Sequence, residues 1–438
     1  METPYPKKVA MFSIHSDPLA PLGSQECGGQ NIYVKYLAEE LDKLGWHADI
    51  FTRRDNPHKK QIAQISKHSR VIRLKGGPAS YIPKKDLFSV LPEIFENFKK
   101  FIDNRNPYSL FHGHYWDGGW MALEASRQFM KPFIENFHSI GIVRHETKKK
   151  FLNDGNETEY FQKRINLEKE IIKNSSYIIS LAATEKENLE KLYNCLEEKI
   201  KVIKGGVNLK HWPHIEKEKA RNAIGVSQKS FVILFVGRLE WRKGIGTLIT
   251  AANLLKNEIL NLKIVVVGGK IFGPNINTAD QIEYKRLRQK AEEEGVKEIV
   301  SFCGNVDHER LPVYYRSADA FVIPSYYEPF GLVALEAMAS FIPVIASRVD
   351  GLAATIKNGV TGLFFEARNP LSLKSKIMEI YNSRELADKL AENAHLEITK
   401  NYSWHTIAQK IAQAYEKLTD KTLTDNQEKY ENSPTVSA

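Results

Sequence analysis

Short runs of apolar, largely β-branched residues alternate with helical stretches from one end of the chain to the other. No other feature restricts its fold so far. The strand candidates of the first half are residues 9–15, 48–53, 70–74, 109–114, 132–138, 177–183 and 200–203. Those of the second half are 231–237, 263–269, 299–304, 320–325, 343–347 and 361–366. Several are apolar nearly throughout, as strands covered on both faces of a parallel sheet must be. Between them lie amphipathic patterns. NIYVKYLAEELDKLG (31–45) sets Ile32, Tyr36, Leu37, Leu41 and Leu44 on one stripe and stops at Gly45. Thr184 and Glu187 have capping-box spacing, and Asn369–Pro370 reads as an N-cap followed by proline at the first helical position. This alternation predicts an α/β chain that is doubly wound twice, as two Rossmann-like units.

The junction falls at GGVNLKHWPH (205–214), after which the alternation restarts at Phe231. The expected units are residues 1–210 and 211–400. A further amphipathic helix over 401–420 is expected to cross back to the first unit, and a polar, disordered tail is expected over 421–438. The longest apolar stretches, such as FVILFV (231–236), are too short to span a bilayer. The opening METPYPKKVAMFSIHSD runs into polar residues with no small-residue cleavage site, so a first strand is expected there and not a signal peptide. Cys27, Cys195 and Cys303 lie far apart, which excludes a disulfide framework or a zinc motif and makes a reducing cytoplasm the expected location. The spacing of residues says nothing about oligomeric state.

Of the net charge of +9, most sits in one half. Residues 1–210 carry 33 Lys+Arg against 26 Asp+Glu, and the rest carries 29 against 27. That modest excess fits an anionic ligand or a weak peripheral contact with an acidic membrane surface. Nucleic acid is not expected, because no basic stripe with interleaved aromatics is present.

The residues that carry chemistry cluster where such sheets place their ligands, at the C-terminal ends of strands. Gly28 and Gly29, in CGGQN (27–31), open the first long helix, where backbone amides can approach an anion; the alternative is a tight turn. In VGRLEWRKG (236–244), Arg238 and Lys243 stand five residues apart after a strand and suit a diphosphate, the alternative being a solvated basic turn. In SYYEPFGLVALEAMA (325–339), Glu328 lies in a loop and Glu336 within an apolar helix. Pro329 and Gly331 shape the turn so that the amides of Phe330, Gly331 and Leu332 can point at a phosphate. Glu336 is costly to bury alone, and a ribose diol would offer its carboxylate two donors; an internal salt bridge is the alternative. FHGHYWDGGW (111–120) and NFHSIG (136–141) end two strands with histidines and Asp117, an array too poor in carboxylates to suggest a metal site.

Together these segments resemble the retaining nucleotide-sugar glycosyltransferases of the two-Rossmann (GT-B) architecture, in the large family containing sucrose-phosphate synthase, sucrose synthase and the inositol-phosphate glycosyltransferases. The resemblance covers about residues 7–418 and rests on GRLEWRKG, on GNVDHERLPVYYRSADAFVIPSYYEPFGLVALEAMA and on PVIASRVDGLAATIKNGVTGLFFE. In the first half, SIHSDP, CGGQN, HGHYWDGG and FHSIG look most like the sucrose-phosphate synthase branch. The resemblance implies that Arg238 and Lys243 hold the diphosphate of a UDP-, ADP- or GDP-sugar, that Glu328 contacts the donor sugar, and that Glu336 takes the ribose. Gly28 and Gly29 would approach the diphosphate, Gln30 and Asp117 would lie by the acceptor, and His138 beside the reacting sugar. It implies transfer with retention of configuration and no essential metal or other cofactor, the cations taking the metal's place.

In this architecture the first unit takes the acceptor. Its positive excess, with Arg144 and Arg164 as bidentate candidates, points to a small phosphorylated sugar or polyol. Exposed solvation is the alternative for Lys148, Lys149 and Lys150. A lipid or polysaccharide acceptor, or more remotely a nucleotide-sugar epimerase, is the competing reading. No GxGxxG follows a strand with an acidic residue about 20 positions on, which disfavours a nicotinamide oxidoreductase. The chain departs from the family twice. Phe341 stands where glycine is usual, costing about 1–2 kcal/mol if that position is left-handed. Lys204, Gly205 and Gly206 replace proline-proline-glycine at the junction, implying a softer hinge.

Overall fold

The computed structural model describes residues 7–20, 28–103, 106–152, 158–269, 271, 279–328 and 331–431. The first sheet contains β1 (Lys8–Phe12), β2 (His47–Arg53), β3 (Ile62–Gln64), β4 (Arg70–Leu74), β5 (Leu110–His114), β6 (Phe133–Asn136), β7 (Tyr177–Ser180) and β8 (Ile200–Val202). Their order is β3-β4-β2-β1-β5-β6-β7-β8, parallel except for the β3–β4 pair. The second sheet contains β9 (Phe231–Val236), β10 (Leu262–Val267), β11 (Val300–Gly304), β12 (Ala320–Ile323), β13 (Val344–Ser347) and β14 (Leu363–Phe365), ordered β11-β10-β9-β12-β13-β14 and parallel throughout. The expected strands all form. β3 is the addition. It is three residues long with no buried position, so it leaves no apolar run to read.

Both sheets reverse their winding at one point. In the first, β1 lies between β2 and β5; in the second, β9 lies between β10 and β12. At such a point the loops leaving adjacent strands diverge to opposite faces and open a crevice beyond the strand ends. The segments that follow β1, β5, β9 and β12 carry His15, Asp117 (in the first turn of the helix Tyr115–Phe129), Arg238 with Lys243, and Glu328 respectively. Strand order thus gathers residues that are hundreds of positions apart.

The helix Gly29–Lys43 begins two residues before the expected segment at Asn31, because Asn31 turns its side chain back to accept from the Gly28 amide at 2.9 Å. Asn369 caps the helix Pro370–Asn382 as expected, accepting from the Ser372 amide at 3.0 Å. Thr184 does not cap its helix. Chain entry there is held by Glu185, which accepts from the Leu181 amide at 2.7 Å.

The last helix, Trp404–Glu431, packs on the first lobe, where Ile407, Ile411 and Tyr415 join the cluster of Val34, Leu37 and Trp46. It continues past residue 420, correcting the tail expected there. Nothing between 404 and 431 is glycine or proline, and the first breaker is Pro434. Residues 432–438 lie outside the described residues. Val207 donates to the Tyr402 carbonyl at 2.8 Å, so the two interlobe crossings run side by side. Gly206 lies under Trp404, where a Cβ would come within 2.9 Å of the ring. The glycine therefore permits a close crossing at this junction.

Candidate functional site: a cleft between the two sheets

One cavity runs between the lobes, and it takes in most of the residues singled out from the sequence. Gly28, Gly29, Gln30, His138 and Arg144 line it from the first lobe; Arg238, Lys243, Glu328, Gly331, Leu332 and Glu336 line it from the second. The glycine pair faces the second lobe at close range. A Cβ on Gly29 would stand 3.1 Å from Leu332 Cδ1, and one on Gly28 would stand 4.0 Å from Arg238 Nε. Gln30 donates to Ser13 Oγ at 3.1 Å. Phe330 lies outside the described residues.

On the second lobe, the loop after β9 turns through Trp241–Lys243 and presents a charge network. Glu240 accepts from Arg238 and Arg242 at 2.6 Å each. Burial pushes its carboxyl up, but Arg238 and Arg242 together hold it well below the carboxylate range. Lys243 meets Glu328 at 2.5 Å, and both are buried. Burial pushes the Lys243 ammonium below its ordinary pKa and Glu328 offsets only part of this, whereas Lys243 and Arg242 outweigh burial at Glu328 and lower it. Gly331, left-handed at φ 79°, caps the helix Leu332–Ala339, which carries Glu336. Among the described residues Glu336 has no cation within ion-pair distance. Its contact is the Tyr315 hydroxyl, which donates to Oε2 at 2.9 Å, and burial raises the carboxyl to about 7.

On the first lobe, two expected contacts lie one layer deeper. Asp117 is fully buried and pairs with His15 Nδ1 at 2.7 Å; it is His15 that reaches the cavity. Arg164 is also fully buried, with its guanidinium spent on Glu168 at 2.7 Å, on the Tyr115 hydroxyl at 2.7 Å and on the Ser139 carbonyl. The expectation that Arg164 grips a ligand is corrected: it supports Tyr115 from below, while Tyr115 lines the cavity. Lys84 lies over the Tyr115 ring at 5.1 Å and also lines the cavity, with Arg144. Lys84, His15, Tyr115 and Arg242 were not singled out from the sequence. Tyr115 and His15 lie inside quoted motifs, but Lys84 sits in a turn, Lys84–Ser89, without any motif.

Among the described residues, one group of side chains has metal-ligand proximity: Asp42, His47 and His68. It belongs to the far side of β2 and β4, not the cleft. Its two imidazoles stack 4.4 Å apart, and Asp42 already serves His68 through its amide and Nδ1. No helix among the described residues is long and apolar enough to cross a membrane.

The chain is similar to known proteins along most of its length. Residues 216–397 match the glycosyl transferases group 1 family, and residues 27–211 match glycosyltransferase family 4. The chain is 30% identical over 414 residues to D-inositol 3-phosphate glycosyltransferase of Corynebacterium glutamicum, covering 93% of this chain and 96% of the relative. It is 31% identical over 416 residues to the Corynebacterium urealyticum protein of the same name, covering 94% and 96%. Sucrose-phosphate synthase of Thermosynechococcus elongatus superposes with a TM-score of 0.86 at 34% identity, covering 94% of this chain and 99% of that one. Anabaena HepE, solved with UDP and glucose, shares the fold at a TM-score of 0.73 and 20% identity, covering 93% and 99%. With two parallel sheets meeting at their switch points and full-length relatives on both sides of the junction, this chain belongs to the group 1 glycosyltransferases of the GT-B fold.

Proposed function

We propose that the chain transfers a sugar, with glucose the expected one, from a nucleoside diphosphate sugar to a small phosphorylated sugar or polyol, with retention of configuration. The observation that carries this reading is the distribution of cations around one cavity. Arg238, Arg242 and Lys243 come from the second lobe, and Lys84 and Arg144 come from the first, beside Tyr115. Two anionic groups brought in from two lobes would account for both sets. The relatives named for D-inositol 3-phosphate and the sucrose-phosphate synthase structure support a phosphorylated acceptor.

In this reading Arg238 and Lys243 stabilise the charge that develops on the departing diphosphate, from a site already organised by Glu240 and Glu328. Glu328 also orients donor hydroxyls, and Glu336 accepts from the ribose. The leaving phosphate oxygen takes the acceptor's proton, so catalysis rests on positioning and leaving-group stabilisation. Lys84 and Arg144 hold the acceptor phosphate.

The test is a transfer assay with UDP-, ADP- and GDP-sugars, comparing fructose 6-phosphate with fructose and inositol 1-phosphate with inositol. The phosphorylated acceptors should be better by roughly tenfold or more, the worth of a charge-assisted contact or two. Neutral acceptors that match them would overturn the acceptor assignment. Failure of every nucleotide sugar would overturn the donor.

A further inference from the structure

Behind the cleft three imidazoles stand in sequence. His112 and His114 lie on the same face of β5 with ring centroids 4.2 Å apart, and His114 Nδ1 is 3.0 Å from His138 Nε2. His112 Nδ1 meets the Tyr415 hydroxyl at 2.6 Å. His112 and His114 are fully buried, and His138 reaches the cavity. Burial holds all three rings neutral at physiological pH: His112 and His138 are lowered to about 3, and His114 falls well below its ordinary value.

A neutral imidazole carries one N–H, and its other nitrogen can only accept. Among the described residues, none is a hydrogen-bond partner of the buried His114 Nε2. A proton there would be an orphaned buried donor, the rarer and costlier kind of unsatisfied group. The proton therefore belongs on His114 Nδ1, which donates to His138 Nε2. With Nε2 accepting, the single proton of His138 must sit on Nδ1, the ring nitrogen left for a ligand in the cavity. The ring packs T-shaped against Tyr33, with centroids 5.0 Å apart, and its backbone is left-handed at φ 56°, a strained conformation for a non-glycine residue.

We infer that His114 is a positioning residue that fixes the tautomer of His138, so that His138 meets the bound sugar as an N–H donor and not as a proton acceptor. This rests on the glycosyl-transfer reading above and deepens it. A donor aimed at a sugar hydroxyl oxygen can orient and polarise the sugar, but cannot take up the acceptor's proton.

The experiment uses the full chain labelled with 15N-histidine, with His138 assigned by the loss of its signals in His138→Gln. Long-range proton–nitrogen correlation at neutral pH should show His138 protonated on Nδ1 and bare on Nε2. In His114→Asn, whose amide N–H can replace Nδ1–H, the tautomer should persist and kcat should stay within about threefold, whereas His114→Leu should lower kcat at least about tenfold with donor KM within about threefold. A proton on His138 Nε2 in the unmodified protein would overturn the inference, as would an unchanged kcat in His114→Leu, or an Asn variant no better than the Leu variant. If the Leu variant does not fold, the spectrum of the unmodified chain still decides. That spectrum reads the tautomer whether or not a transfer partner is found, so the inference and the glycosyl-transfer reading fail separately.

Discussion

Glu336 is 7% exposed and faces a tyrosine hydroxyl, so it carries an electrostatic cost that pH can reveal. Its carboxyl is raised from 4.5 to about 7 by burial. Below about pH 4.5 both the folded and unfolded states hold the proton, and the group costs nothing. As pH rises towards 7 the unfolded chain releases it first, so stability falls, by on the order of 3 kcal/mol once above 7. Glu336→Gln should therefore be more stable than the parent at pH 8 and equal to it near pH 4, as read from urea midpoints; equal midpoints at both would contradict the burial cost. The same variant should show a raised donor KM at pH 8, and the parent's donor KM should itself rise as pH falls below about 7. Arg238→Ala and Lys243→Ala should each lower turnover about a hundredfold or more with folding retained, as loss of a preorganised charge contact does. Turnover near that of the parent in either would remove them from the donor site. Charged residues in the second-half motifs were legible because a cation or carboxylate beside a strand end has few structural uses. Arg164 misled because sequence spacing cannot distinguish a guanidinium facing a ligand from one buried beneath the ligand's neighbour.

At the scale of the element, the helix Leu332–Ala339 ends through Ser340 into Phe341, which takes the left-handed conformation at φ 55°. Glycine is the usual solution one residue past a helix C-cap, since a Cβ there costs about 1–2 kcal/mol. Phe341 recovers part of that by stacking on His395 at 3.7 Å with 19° between the planes, a contact worth about 0.5–1.5 kcal/mol. Phe341→Gly should then lie within about 1 kcal/mol of the parent, while Phe341→Ala keeps the strain and loses the stack, and should be the least stable of the three by about 1 kcal/mol. Urea titrations of the series check the order, and an alanine variant as stable as the parent would show that the stack contributes nothing. The possible left-handed exit was readable from the helix pattern. Its aromatic partner, 54 residues on in a separate helix, was not. The edge strand β3 and the extension of the last helix to Glu431 also escaped sequence reading, because neither carries an apolar period of its own.

Across the whole molecule, cations from both lobes surround one cavity, and in the proposed reading they take the place of a divalent ion on the donor diphosphate. Transfer activity should accordingly survive EDTA; complete loss restored by a divalent ion would overturn this. The sequence by itself determined the two doubly wound units, the junction near residues 205–214 and the motifs at the strand ends. Each of these follows from a local rule: apolar runs for buried strands, glycines and prolines at turns, charged side chains placed beyond strand ends. Tertiary structure decided which motif residues reach the cleft and which stand behind it. It brought Lys84 and Arg242 to the cavity, withdrew Asp117 and Arg164 into support, and aligned His112 and His114 behind His138, which lines the cavity. Those outcomes depend on strand order and on the packing of two lobes, where partners are set by contacts between distant segments and not by any repeat or spacing along the chain.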